Sequence, residues 1–126
     1  MLDKLNCVIS EFVEPLILKY QWTLDNEIAS GMGAIKEYVG KEIYIRVVND
    51  RGLLDIEIGS KHDKERLRCV SFFKDWKTPP WRGQSNLSVG QQCAFLNENW
   101  SQLNELLNEK NANQTIKAVD EYLQSR

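Results

Sequence analysis

The stretch Lys41–Ser60, KEIYIRVVNDRGLLDIEIGS, constrains the fold more than any other part of the chain. Ile43, Ile45 and Val47 alternate with Tyr44 and Arg46, and Leu54, Ile56 and Ile58 alternate with Asp55 and Glu57. Period-two alternation places the two sets on opposite faces of a sheet. Asn49-Asp50-Arg51-Gly52 between the arms consists of residue types that adopt hairpin-turn conformations. A loop of Asp50-Arg51, or a four-residue loop, predicts Val47 opposite Leu54, Ile45 opposite Ile56 and Ile43 opposite Ile58. It also sets Arg46 against Asp55 and Tyr44 against Glu57. One face is then apolar and the other carries charges of opposite sign. A one-residue slip would bury Asp55 and Glu57, so the faces are strongly specified. A lone hairpin is marginal in water, and the rest of the chain must cover its isoleucine face.

Two helical regions are available for that purpose. Leu2, Leu5, Ile9, Phe12 and Leu16 recur at steps of three and four, which predicts an amphipathic helix over 2–20, kinked or split at Pro15. Ser88-Val89-Gly90-Gln91 matches a capping box, and Cys93, Leu96, Trp100, Leu103 and Leu107 continue a helical stripe. A break over 108–113 leads to a last helix with Asn111 or Asn113 as its cap and Ile116, Val119 and Leu123 inward. Residues 21–33 read as a connector or short strand around Trp22, and Ala34–Val39 as the first full strand, placed at a sheet edge. Gly40-Lys41 turns into the hairpin. Residues 66–73 fit either a strand or a helix, and composition favours the strand. Residues 74–90, with Pro79-Pro80 between Trp76 and Trp81, read as a long irregular loop. The expected fold is α+β in a single domain, 1–126. It has an N-terminal helix, an antiparallel meander of three or four strands, and two C-terminal helices packed on one sheet face.

Little in the residues points to chemistry. The chain has one histidine, His62, in a polar loop, and three scattered cysteines, Cys7, Cys69 and Cys93, without a C-x-x-C pair. Each cysteine reads as a small buried apolar residue in a reducing compartment. No zinc spacing, nucleophile elbow or phosphate loop occurs, so neither catalytic residue nor metal nor cofactor is assigned. Asp55 and Glu57 share a strand face, but Arg46 opposite Asp55 would neutralise it. The N-terminus lacks the basic start and continuous apolar core of a signal peptide, and no apolar run is long enough to span a bilayer, so a cytoplasmic location is expected. Net charge is −2, which gives no indication of nucleic-acid binding. The charge is unevenly spread. Residues 1–30 carry two lysines against five carboxylates, net −3, and residues 61–82 carry seven Lys or Arg against three carboxylates, net +4. The expected role is therefore binding without catalysis.

A family resemblance gives that role a direction. Tyr20-Gln21-Trp22 follows the first helix, Glu37-Tyr38-Val39-Gly40 ends a strand, Asn49-Asp50-Arg51-Gly52 makes the turn, and Ile56-Glu57-Ile58-Gly59 ends the next strand. The helix from Leu96 to Leu107 reads L-x-E-N-W-x-x-L-x-x-L-L. In this order the segments resemble the small immunity proteins of contact-dependent growth inhibition and related bacterial toxin systems. The Trp76–Trp81 stretch has no counterpart in that pattern. The resemblance implies a monomer that binds the C-terminal domain of a cognate toxin, often a nuclease, one to one. It would block the toxin's active site or substrate path, with no direct contact to nucleic acid or membrane. The surface nominated for that contact joins the acidic groups Glu11, Glu14, Asp25 and Glu27 to Trp76, Trp81 and Arg82. The alternative is a small acidic secretion chaperone that holds an effector segment and works as a dimer.

Overall fold

The computed structural model describes residues 2–77 and 87–125. It is α+β. Five antiparallel strands, β1 (Thr23–Ala29), β2 (Gly33–Val39), β3 (Ile43–Asp50), β4 (Leu53–Ser60) and β5 (Arg68–Cys69), lie in sequence order. Helices α1 (Leu2–Val8) and α2 (Glu14–Tyr20) precede the sheet, and α3 (Val70–Lys77), α4 (Val89–Leu106) and α5 (Ala112–Ser125) follow it.

The N-terminal helix does not break at Pro15. Between α1 and α2 it widens into five residues of π-helix, Ile9–Val13, with the Glu14 amide donating to the Ile9 carbonyl. Pro15 stands in the first turn of α2. Proline has no N–H, and its ring clashes with the carbonyl four residues back, so a widened turn lets the helix pass it. Leu5, Ile9, Val13 and Leu16 all remain buried.

The hairpin keeps its predicted faces, and its register differs by two residues. Val47 pairs with Ile56, Ile45 with Ile58 and Ile43 with Ser60. Arg46 stands opposite Glu57, not Asp55, and Tyr44 stands opposite Gly59. The two-residue loop is Arg51-Gly52, with φ of 54° and 91°. Both values suit a primed turn, whose twist matches that of the flanking strands. The buried Asn49 side chain fixes the turn by accepting the Gly52 amide at 2.9 Å. A shift of two leaves every side chain on its own face, which is why the core was readable although the pairing was not.

Two other expectations change. Residues 23–29 form a complete strand, so β1 is the sheet edge and Ala34–Val39 lies inside it. Residues 66–73 contain both predicted structures: a two-residue strand, Arg68–Cys69, runs directly into α3. Helix α3 extends to Lys77, so the irregular stretch begins later than expected. Ser88 caps α4 by the reciprocal capping box with Gln91.

The helices cover one face of the sheet. Ile43, Ile45, Val47, Ile56 and Ile58 are buried there together with Leu5, Val13, Val70, Phe73, Leu96, Leu103 and Val119. Tyr20, Trp22, Tyr38, Gly40 and Trp100 meet at one end of this core, and the Asn49–Gly52 turn lies at the other end of the hairpin. Tyr20 stacks on Trp100 at 5.0 Å between ring centroids, and Trp22 lies 5.2 Å from Trp100 and 6.2 Å from Tyr38. A Cβ on Gly40 would come within 2.9 Å of Trp100 and 3.3 Å of Trp22, so the indoles fill the space a side chain would need.

Candidate interaction surface

The sheet face away from the helices is organised in cross-strand rows. Strand register aligns Ile28, Ile35 and Val48 in one row, and Asn26, Glu37, Arg46, Glu57 and Cys69 in the next. A third row contains Thr23, Val39, Tyr44 and Gly59.

The middle row is a continuous polar ladder. Asn26 Nδ2 donates to Glu37 Oε1 at 3.0 Å, and Arg46 Nε donates to Glu37 Oε2 at 2.7 Å. Arg46 Nη1 reaches Glu57 Oε1 at 3.3 Å. Glu37 is buried. Burial alone would raise its carboxyl pKa, but the hydrogen bonds from Asn26 and Arg46 outweigh it and hold the group below the usual glutamate value. The Arg46 guanidinium is raised by the same carboxylates against the opposing effect of burial.

Asp25 and Tyr44 close one end of the face. The Tyr44 hydroxyl donates to Asp25 Oδ2 at 2.6 Å, and Lys64 Nζ reaches the same oxygen at 3.4 Å. Lys64 also sits 4.9 Å above the Tyr44 ring, so the loop after β4 folds over this tyrosine, which is buried. The Tyr44 hydrogen bond, with help from Lys64, holds Asp25 below its ordinary value. Burial, followed by Asp25 and Glu37, pushes the Tyr44 phenol up.

The row of Ile28, Ile35 and Val48 lines a groove of about 340 Å³ together with Met32 and Arg51 at the hairpin tips. Ile28 is 49 % and Met32 57 % exposed. The Arg51 amide donates to the Met32 carbonyl at 2.9 Å and ties the two tips together.

The five nominated residues that are described do not form one patch. Glu11, Glu14, Asp25 and Glu27 are all exposed. Glu14 and Glu27 both act on Tyr38, whose phenol is raised first by burial and then by these two charges. They therefore share the helix-side flank of β1, while Asp25 lies on the outward face. Glu27 also meets Lys36 at 3.8 Å. Trp76 packs against the core on α3, next to Leu106, Thr115 and Ala118, at the β4–β5 end of the fold. Four strand spacings of ~4.8 Å separate that end from β1. Trp81 and Arg82 lie outside the described residues.

The remaining candidates for chemistry are dispersed. Asp55 is not neutralised by Arg46. Its Oδ2 faces the Cys69 thiol at 3.1 Å, and its Oδ1 accepts the Ile56 amide at 2.9 Å. Burial, then Asp55, pushes the Cys69 thiol up to about 12, so this sulfur stays a protonated donor. Cys93 is buried and raised to about 11, whereas Cys7 is exposed and Cys69 half-buried, which departs from the expectation of three buried cysteines. His62 Nε2 lies 3.1 Å from Glu42 Oε2. Among the described residues no group of three or more His, Cys, Asp or Glu is arranged to hold a metal ion. Likewise, no helix among them is long and apolar enough to cross a membrane.

No family model, curated protein or solved structure matches the chain.

Sequence reasoning missed the polar ladder, left residues 21–33 between connector and short strand, and placed the sheet edge one strand too far in. Glu37, Arg46 and Glu57 were visible individually. Joining them required the correct register and the presence of β1, which supplies Asn26.

Proposed function

We propose that this protein is an immunity protein, which binds a cognate toxin domain and neutralises it by covering its active site or substrate path. The observation that carries this reading is the outward sheet face. Among the described residues no helix lies over it. Its charged row, Glu37 and Glu57 about Arg46, is held by hydrogen bonds and keeps one net negative charge, and an apolar row with Ile28 exposed and Ile35 and Val48 half-buried runs directly beside it. Such a surface is already ordered before a partner arrives, which lowers the entropic cost of association. The exposed carboxylates Glu14, Asp25 and Glu27 at its β1 side, with Glu11 exposed on the N-terminal helix, would steer a basic domain, such as a nuclease, towards it. The motif resemblance points to the same class of protein. In this reading the partner is a protein, the complex is one to one, and the protein transforms no substrate.

Co-expression with the product of the adjacent upstream gene tests the proposal. The expected result is suppression of that product's toxicity together with a co-purifying complex. A harmless neighbour that forms no complex would overturn it. With a complex in hand, replacing Glu11 and Glu14 by lysine should slow association and reduce its salt dependence. An unchanged rate would remove those two residues from the contact surface.

A further inference from the structure

We infer that the free edge of β1 is a docking site for an extended, cationic segment of a partner protein, which joins the sheet as a sixth strand. This goes beyond the immunity reading, because it concerns how the edge binds and not who owns the segment.

The edge is long and open. All seven residues of β1 are exposed, including Leu24 and Ile28, each at 49 %. Its backbone polarity can be worked out from the turn. The Ser30 amide donates to the Gly33 carbonyl at 2.8 Å, which makes Ser30 and Gly33 a hydrogen-bonded pair. Antiparallel alternation then makes Ile28 and Ile35 the next such pair and turns the amides and carbonyls of Glu27 and Ala29 away from β2. The Glu27 amide is taken by the Asn26 Oδ1 at 3.0 Å. The Ala29 amide and the two carbonyls face outward and present a short ladder for another strand.

Charge decides the occupant. A second copy of this chain that pairs β1 with β1 about Asn26 brings carboxylates together, and the oligomeric state reads the other pairing, about Ile28, which sets Glu27 against Ala29. With the two-fold axis at Asn26, Asp25 faces the other copy's Glu27, twice, and like charges directly opposite are destabilising. The lysines that meet these carboxylates approach from within the fold. Lys36 lies 3.8 Å from Glu27 on the neighbouring strand, and Lys64 lies 3.4 Å from Asp25 in the loop after β4. About two fifths of each carboxylate side chain still faces solvent, 40 % for Glu27 and 38 % for Asp25. Glu14 adds negative charge on the same flank as Glu27. The solvent-facing parts of Asp25 and Glu27 favour lysine or arginine on an incoming strand. Its apolar side chains would pack beside Leu24 on the helix side, and beside Ile28 on the outward face, where they extend the row Ile28–Ile35–Val48.

The test uses the full chain and a capped ten-residue peptide of lysine, valine and threonine, with a glutamate-for-lysine peptide as control. The lysine peptide should slow amide exchange at Ala29 at least tenfold. It should also bind at least tenfold more tightly than the glutamate peptide at low salt. Ala29→Pro removes an outward donor and spares the ladder to β2, so it should weaken binding of the lysine peptide at least tenfold, whereas Ala29→Ser should bind it as the parent does. If Ala29→Pro disturbs the fold, the double variant Glu14→Lys, Glu27→Lys decides the matter, since it keeps every amide and should prefer the glutamate peptide. Equal binding of the two peptides, protection away from β1, or self-association of the peptide-free protein through β1 would each overturn the inference. The peptide assay involves no toxin, so its failure leaves the immunity reading standing, and the co-expression result leaves this one standing.

Discussion

The two edges of the sheet are treated in opposite ways. At the β4 edge, β5 contributes only two residues before the chain turns into α3. The exposed run of β4 backbone is closed by a side chain. Gln92, buried on α4, accepts the Ile56 amide at 2.8 Å through Oε1 and donates to the Leu87 carbonyl at 2.9 Å through Nε2. Arg68 clamps the short strand to α5 through two hydrogen bonds to Asp120, at 2.8 and 2.9 Å. At the β1 edge the closure is slighter: Asn26 Oδ1 accepts the Glu27 amide at 3.0 Å, and every residue of the strand is exposed. The contrast separates what holds the fold together from what remains available to a partner. Packing and edge closure concentrate around β4, α3, α4 and α5, and the acidic, open edge lies three strands from β4.

Four measurements would break or sharpen this contrast. The largest effect is expected at Phe73, which is fully buried on α3 beneath the closed edge. Phe73→Ala should lower unfolding free energy by about 3–5 kcal/mol in a urea titration, because a large side chain leaves a cavity that cannot fully collapse. Next comes Gln92→Ala, which strips a partner from the Ile56 amide and the Leu87 carbonyl. A loss of about 1–3 kcal/mol is expected in the same assay, and a loss below ~0.5 kcal/mol would mean that the Asp55 carboxylate alone satisfies the amide.

Arg46 belongs to the outward ladder and should show itself mainly through pH. Asp25, Glu37 and Asp120 all have folded-state pKa values below their unfolded ones: 3.8 is the ordinary value for the aspartates and 4.5 for the glutamate. The stability they supply is therefore complete above those ordinary values and is lost as pH falls through the lower folded ones. Urea midpoints should stay level with respect to these groups above about pH 5.5 and fall as the solution is acidified below it. Arg46→Ala should cost about 1 kcal/mol at neutral pH and flatten the acid slope, since Glu37 then loses a cation that holds it ionised. An acid slope identical to that of the parent would remove the ladder from the account. The smallest effect is expected at the open edge. Leu24→Thr should change stability by less than about 0.5 kcal/mol, as for an exposed position with no partner of its own. A cost above 1 kcal/mol would show that β1 contributes to the core and is less available than its exposure suggests.

The parts of the molecule that were legible and those that were not differ in what they bury. The isoleucine faces of β3 and β4 could be assigned because burying one face forces a period of two, and that pattern survives a register shift of two residues. The pairing across the hairpin could not, because it depends on Arg51 adopting a left-handed conformation that residue type alone does not announce. The α4 stripe and its Ser88 cap were readable for the same reason as the strands. Strand β1 left no pattern. Its bulge between Leu24 and Asn26 interrupts the alternation, and none of its residues is buried. A strand that covers nothing gives sequence periodicity nothing to report. Residues 66–73 read as both strand and helix because the chain uses both in succession. Among the nominated contact residues, the exposure of the four carboxylates followed from their charge. The distance of Trp76 from them followed only from strand order.

The amino-acid sequence alone determined the buried faces of β3 and β4 and the presence of the N-terminal, α4 and α5 helices, since those choices follow from local periodicity and from the cost of burying charge. Only the tertiary structure decided which strand stands at the edge, which carboxylate meets Arg46, and where the molecule leaves hydrogen-bonding backbone exposed. These are relations between segments distant along the chain. They are set by register and strand order, and a single misplaced turn residue changes them without altering any local pattern.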